Sequence, residues 1–305
     1  MVELYRQIWI RTAKEQLVLI LLSVVVAVLA AVPLDYQKRI VNGMTESAQW
    51  TELLRMGLEM FGVVLLSLGL KGVLAYRTGL LAEDVARQIR LNRFDAAVRS
   101  TDGKRGVGQT GTLANIVSSE SETMGKFVGT AISEPLLQLG TLISVVGYIT
   151  TTSPGLGLVL AGIIIPQILL VLFTQPKINA LVRSRVRVMR GSVDTITSTS
   201  LPEVQSDVAK DFDKLYDMRR WTFVWKQATK FITGSLNGLG LFVVLVYGGW
   251  SVTTGATDVG TVVAAASGLA RIQQPWRELI AFYRSLNAAY VQFDLLREVV
   301  KKWGA

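Results

Sequence analysis

Neither cysteine nor histidine occurs among the 305 residues. Their absence excludes a disulfide, a thiolate nucleophile, a Cys/His zinc site and a histidine general base, and with them most common hydrolase mechanisms. Charge is scarce too: 18% of residues are Asp, Glu, Lys or Arg against 50% hydrophobic, and the mean hydropathy is +0.40. Such a composition excludes a disordered or low-complexity chain. The charge that is present is mostly basic, 32 Lys and Arg against 23 Asp and Glu, a net +9. In a soluble protein that excess would point to nucleic acid. Here the charges lie between long uncharged blocks, and no nucleic-acid partner is expected.

The uncharged blocks have the length of membrane spans. Leu17–Leu34 reads LVLILLSVVVAVLAAVPL without a charge, and about 20 such residues in a helix match a ~30 Å hydrocarbon core. Its apolar run exceeds that of a signal peptide and Pro33-Leu34-Asp35 is a poor cleavage site, so it is read as the first span. Met56–Tyr76, Phe127–Thr150, Pro154–Thr174, Phe231–Trp250 and Val259–Phe282 follow, giving six. The sixth is interrupted by Arg271, Gln273, Gln274, Pro275 and Arg277, so its lower half must face protein or water. Neither internal repeats nor broken spans are evident, which argues against a secondary transporter.

Orientation follows from Lys/Arg asymmetry. Arg87 through Lys126, and eleven Lys/Arg from Lys177 to Lys230, mark the two long loops as cytoplasmic, while Thr151–Ser153 and Ser251–Asp258 carry no basic residue. Both termini are then cytoplasmic, with the chain in the cell (inner) membrane. Leu53 to Ser100 contains no proline, and Leu81, Val85, Ile89, Phe94 and Val98 keep helical spacing beyond the span. At 1.5 Å per residue such a helix is roughly 70 Å long, so more than half projects past the core. The second loop repeats the pattern: Ile178, Val182, Val186, Met189, Val193 and Ile196 descend, and Val204, Val208, Phe212 and Leu215 ascend after Pro202. Each arm has a polar tip, Ser100–Gly108 and Gly191–Pro202.

This arrangement resembles the transmembrane domain of ABC exporters over nearly the whole chain, 1–305 as a single domain. The resemblance is carried by Pro33 with Arg39-Ile40-Val41-Asn42, by Arg87, Leu91 and Phe94 leading to Gly108–Ile116, and by Ala209–Lys214. Gly255–Ala264 and Pro275, with Leu279 and the Phe293–Arg297 helix, complete it. It implies an all-α membrane protein of six transmembrane helices with two long cytoplasmic helical hairpins, in a domain-swapped homodimer or heterodimer. It also implies two coupling helices, near Ser100–Gly108 and Gly191–Thr199, that contact a nucleotide-binding domain. Asp102, Gly103, Lys104 and Arg105 would act in the first, and Asp194, Thr195 and Thr197 in the second. The family's usual Gly-Ile and Val-Lys run after the second coupling helix is replaced here by Thr195–Ser200 and Pro202.

No ATPase motif stands in the sequence. A phosphate loop needs G-x-x-x-x-G-K-[ST]; Gly103-Lys104 is followed by Arg105 and has Val98 where the first glycine belongs, and Gly125-Lys126 is followed by Phe127. Nine residues follow Leu296, too few for a further domain. The expectation is therefore no enzyme and no cofactor in this chain, with Mg-ATP on a partner nucleotide-binding subunit or on a domain missing from the C-terminal end. An ATP-independent membrane scaffold or receptor that keeps the fold without the motor is the alternative.

Ionisable or amide residues inside spans are candidates for the substrate path, because each is costly in hydrocarbon and normally faces a cavity or a partner. Glu134 leads, followed by Gln138, Lys71, Arg271, Gln273 and Gln274; Glu134 could instead pair with Lys71, and Glu59 and Lys71 could snorkel. Gly125-x-x-x-Gly129 and Gly234-x-x-x-Gly238 read as sites of close helix packing. Trp9, Trp50, Tyr76, Tyr148, Trp221, Trp225, Tyr247, Trp250 and Trp276 read as interfacial anchors. Few charges in the spans favour an amphipathic or lipid-like cargo.

Overall fold

Prolines and polar residues set where the helices of this chain break. A computed structural model describes residues 2–99, 121–198 and 201–302, and every element among them is a helix. They are α1 (Val2–Leu29), α2 (Val32–Thr45), α3 (Trp50–Arg99), α4 (Ser121–Thr130), α5 (Ser133–Thr152), α6 (Pro154–Ser198), α7 (Leu201–Thr253) and α8 (Val259–Lys302). The uninterrupted helix expected from Leu53 is present in α3, 50 residues long. The descending and ascending helices of the second arm are α6 and α7.

Among the described residues five stretches are long and apolar enough to cross a membrane: Thr12–Thr45, Trp50–Asn92, Ser121–Thr152, Pro154–Met189 and Ser206–Thr253. The sixth expected span, Val259–Phe282, is helical in α8 but is not among these five. Its run of Arg271, Gln273, Gln274 and Arg277 dilutes the apolar character that the others have. On α3, Leu58, Phe61 and Leu65 are 52% to 62% exposed and none of them lines the cavity described below. A continuous face of that kind is stable in hydrocarbon and would be a liability in water.

Two expected spans are broken rather than straight, and proline explains both. Pro33 has no N–H to give the Leu29 carbonyl, so α1 ends there and α2 begins at Val32. The Leu34 N–H then turns back to the Ala31 carbonyl at 2.9 Å, which leaves the Ala30 carbonyl without its helical donor. In the third span Pro135 likewise withholds a donor from the Ala131 carbonyl, and the helix divides into α4 and α5 at Ala131–Ile132.

The carbonyls freed at the second break are met by side chains. The Gln16 amide donates to the Val128 carbonyl at 3.0 Å, the Ser133 hydroxyl to Gly129 at 3.2 Å, and the Tyr5 hydroxyl to Ala131 at 3.4 Å. This accounts for a fully buried glutamine in α1: an unmet carbonyl in an apolar interior costs about 1–3 kcal/mol.

The chain divides into two compact units, Met1–Pro154 with Ser251–Ala305, and Gly155–Trp250. The first has a core of Ile8, Met124, Phe127, Val128, Ala131 and Ala289. Phe127 stacks on Phe282 at 6.2 Å and meets Tyr5 edge-on at 6.4 Å, tying α1, α4 and α8 together. A second cluster joins Leu19 of α1 to Leu74 and Leu81 of α3. Gly125 and Gly129 permit the approach of α4 to α3. A Cβ on Gly125 would stand 2.3 Å from the Ala82 carbonyl oxygen, and one on Gly129 2.6 Å from that of Thr78. Gly234 and Gly238 have nothing within 4 Å of such a Cβ, so close packing does not extend to them within the described residues.

In the second unit α6 and α7 meet through polar groups. Gln167 donates to Asn237 at 2.9 Å and Ser192 to Asp211 at 3.1 Å. The Lys177 ammonium lies over the rings of Phe173 (3.9 Å) and Trp225 (4.4 Å), which makes Trp225 more than an anchor. Of the apolar stripe on this arm, Ile178 is buried, whereas Val182, Val186, Met189, Ile196 and Phe212 are exposed.

Candidate functional site

The six substrate-path candidates converge. Lys71 of α3, Glu134 and Gln138 of α5, and Arg271, Gln273 and Gln274 of α8 all line one cavity of about 1020 Å³ in the first unit. Residues about 200 apart in sequence reach it because both helix breaks border it. Leu29, Ala30 and Pro33 come from the first break and Ser133 from the second, and Pro275, a proline inside α8, lines the same cavity. A helix interrupted this way presents backbone carbonyls to its surroundings, which is tolerated only against protein or a polar cavity. The Ala30 carbonyl accepts from Arg271 Nη1 at 3.4 Å.

The Lys71–Glu134 pair, the alternative to a substrate-path role for Glu134, does not form. Glu134 instead accepts from the Gln138 amide one turn along α5, at 2.8 Å, and no ion pair among the described residues includes either Lys71 or Glu134. Glu59 pairs on its own helix with Arg55 at 2.9 Å, and neither residue lines the cavity. Lys126 and Arg277, which entered the sequence reading as loop and interruption, are wall residues of the cavity. Lys126 is paired with Glu122. The lining thus mixes apolar residues of α3 and α5, Leu68, Leu74, Leu137 and Val145, with polar ones and with charge of mainly one sign.

A second polar cluster went unforeseen, although both of its halves were singled out separately. Asn42, near the end of α2, donates to Asp258 Oδ1 at 2.8 Å and accepts from the Gly260 N–H at 2.8 Å. Asp258 also caps α8, receiving the Thr261 N–H at 2.7 Å and its hydroxyl at 2.9 Å, and pairs with Lys38 at 3.3 Å. Burial raises the Asp258 carboxyl, but the bonds from Asn42 and Thr261 and the charge of Lys38 outweigh it, holding the group below its ordinary value. Glycine is required at 260, because a Cβ there would lie 2.2 Å from the Lys38 carbonyl oxygen. The signal in the sequence was an Asp two residues before a Gly at the start of a helix; its partner more than 200 residues away carried none. Similarly Tyr148, read as an anchor, donates to Asp35 at 3.1 Å, and Asp35 pairs with Arg39 at 2.7 Å.

Asp102, Gly103, Lys104 and Arg105 lie outside the described residues. Asp194, Thr195 and Thr197 stand in the last turns of α6, with their side chains outside the description. Among the described residues no group of three or more Asp or Glu is placed to hold a metal ion.

The comparison with curated proteins gives no match. The family model of the ABC transporter transmembrane region matches residues 17–193, more than half of the chain, and covers the first four apolar stretches except for residues 12–16. The chain is therefore a multi-pass membrane protein, built wholly of helices where it is described, and it belongs to the ABC transporter transmembrane region family.

Proposed function

We propose that this chain is the permease subunit of an ATP-driven ABC exporter, with the α3–α5–α8 cavity as its share of the translocation path. The observation that carries this reading is the convergence of Lys71, Glu134, Gln138, Arg271, Gln273 and Gln274 on one cavity. Polar groups in apolar helices are kept where they meet a polar cargo or water. In this reading α8 is the sixth span, its polar side turned to the cavity, and both termini face the cytoplasm of a cell (inner) membrane. The exposed stripe of Val182, Val186, Met189 and Phe212 supports a second transmembrane subunit, a copy or a relative, covering the α6–α7 arm.

Energy enters through the arms. Ser100–Gly108, with Asp102, Gly103, Lys104 and Arg105, and the end of α6, with Asp194, Thr195 and Thr197, would dock on a nucleotide-binding partner that holds Mg-ATP. This chain supplies no catalytic residue. Closure of the partner subunits on ATP favours one of two arrangements of the spans, and hydrolysis returns the other; α3 and α6, as long stiff helices, transmit the bias.

The test is native purification in mild detergent, identification of any stoichiometric P-loop protein, and an ATPase assay. Co-purification, with ATPase stimulation lost in Lys104→Glu/Arg105→Glu, supports the reading. A chain that purifies alone, and tolerates that charge reversal in cells, supports the ATP-independent scaffold instead.

A further inference from the structure

The charge in the cavity is unbalanced. Lys71, Arg271 and Arg277 line it and none belongs to an ion pair among the described residues, of which Glu134 is the one carboxylate on its wall. Lys126, the fourth cation, is already matched by Glu122. Among the described residues the Arg271 guanidinium makes one hydrogen bond, to the Ala30 carbonyl, which is long at 3.4 Å and leaves most of its five donors unused. Three cations against one anion, in a cavity whose other walls are uncharged apolar and hydroxyl or amide side chains, is an expensive arrangement unless something negative enters it. The volume, about 1020 Å³, lies at the top of the range of about 300–1,000 Å³ typical of small-molecule sites.

We propose that the cavity takes an amphipathic anion: a single acidic headgroup held between Lys71 and Arg271, and an apolar tail against Leu68 and Leu137. This rests on the reading of the chain as a permease and names its substrate class. Arg271 is suited to the headgroup because a planar fork binds carboxylate or phosphate through two parallel bonds, while the lysine contributes a point charge. Glu134 works against the anion, and its bond to Gln138 directs one of its oxygens along its own helix.

The test uses the full chain in nanodiscs of zwitterionic phosphatidylcholine without nucleotide, and equilibrium binding of three probes of one chain length: laurate, dodecanol and dodecyltrimethylammonium. Laurate binds most tightly. Lys71→Gln and Arg271→Gln each weaken it, by roughly tenfold for the loss of a charged hydrogen bond, and leave dodecanol unchanged. Glu134→Gln strengthens laurate binding and weakens that of the ammonium probe, an outcome that a misfolded variant cannot produce. Competition of laurate by added phosphatidylglycerol would assign the anion to membrane lipid; absence of competition would assign it to a free amphiphile. Equal binding of the three probes, or preference for the ammonium, overturns the proposal. Charge-selective binding without any ATP-coupled partner would leave the site standing and remove the permease reading. ATPase stimulation by the ammonium or the alcohol alone would do the reverse.

Discussion

Replacing Asn42 tests whether the junction of α2 and α8 is held as the geometry indicates. Asn42→Ala deletes two bonds of 2.8 Å, one to a carboxylate and one from the Gly260 N–H. A neutral bond is worth about 1 kcal/mol and one to a charged group about 1.5–3 kcal/mol. The Asp258 side chain is 41% exposed, so water replaces part of this and a loss of about 2 kcal/mol is expected. Asn42→Asp is more informative. It keeps an acceptor for Gly260 but sets a second carboxylate against Asp258 where a donor stood.

The two proteins then respond to acid in opposite directions. In the parent the folded carboxyl of Asp258 lies below its unfolded value. Its contribution is present above the unfolded value, near pH 4, and is lost as pH falls through the folded one. In Asn42→Asp the shared site raises one carboxyl, so the repulsion is fully felt near neutral pH and is relieved as one group takes a proton and donates to the other. Thermal unfolding in detergent, followed by tryptophan fluorescence between about pH 7 and about pH 4.5, should show the gap between parent and Asn42→Asp narrowing on acidification. A gap that is constant or widens, or an Asn42→Ala protein as stable as the parent, would refute the reasoning.

Other expectations follow from packing and unmet groups. Gly129→Leu should disrupt the α3–α4 contact and lower the yield of folded protein in detergent, because even a Cβ there would stand 2.6 Å from the Thr78 carbonyl oxygen. Gly234→Ala should be neutral or stabilising by up to about 1 kcal/mol, since nothing lies within 4 Å and a helical glycine is merely replaced by a better helix former. Gln16→Leu should cost about 1–3 kcal/mol in thermal unfolding, as the Val128 carbonyl loses its donor in an apolar interior. Lys177→Met should cost about 1 kcal/mol by removing the cation from the Phe173 and Trp225 rings.

Much of this was legible in the sequence, because hydropathy blocks and helical spacing are local signals. The length of α3 and the α6–α7 arm follow from helical apolar spacing, and the candidates Lys71, Glu134 and Arg271, which meet on one cavity, were marked by polar residues standing in apolar helices. The breaks at Ala30–Ala31 and Ala131–Ile132 were written in Pro33 and Pro135, yet the surrounding runs are so apolar that they read as continuous. The sixth span was read from length, which Val259–Phe282 has, against composition, which it lacks. Long-range partners carried no signal of their own. Asn42 with Asp258, Tyr148 with Asp35, and Gln16 with Val128 are each fixed by the fold rather than by spacing. Of the two glycine pairs, identical in pattern, one packs and one stands open, which a motif alone cannot distinguish.

Because the chain has no cysteine, single cysteines can be introduced without background. In native membranes, Gln138→Cys and Gln274→Cys place a thiol on the cavity wall and Leu65→Cys one on the exposed apolar face of α3. Labelling by a membrane-impermeant maleimide, with and without Mg-ATP and vanadate, reads whether nucleotide changes access to the cavity. The account predicts that nucleotide changes the rate at both cavity positions and leaves Leu65→Cys unlabelled in either state. Labelling at the cavity that ignores nucleotide would contradict it.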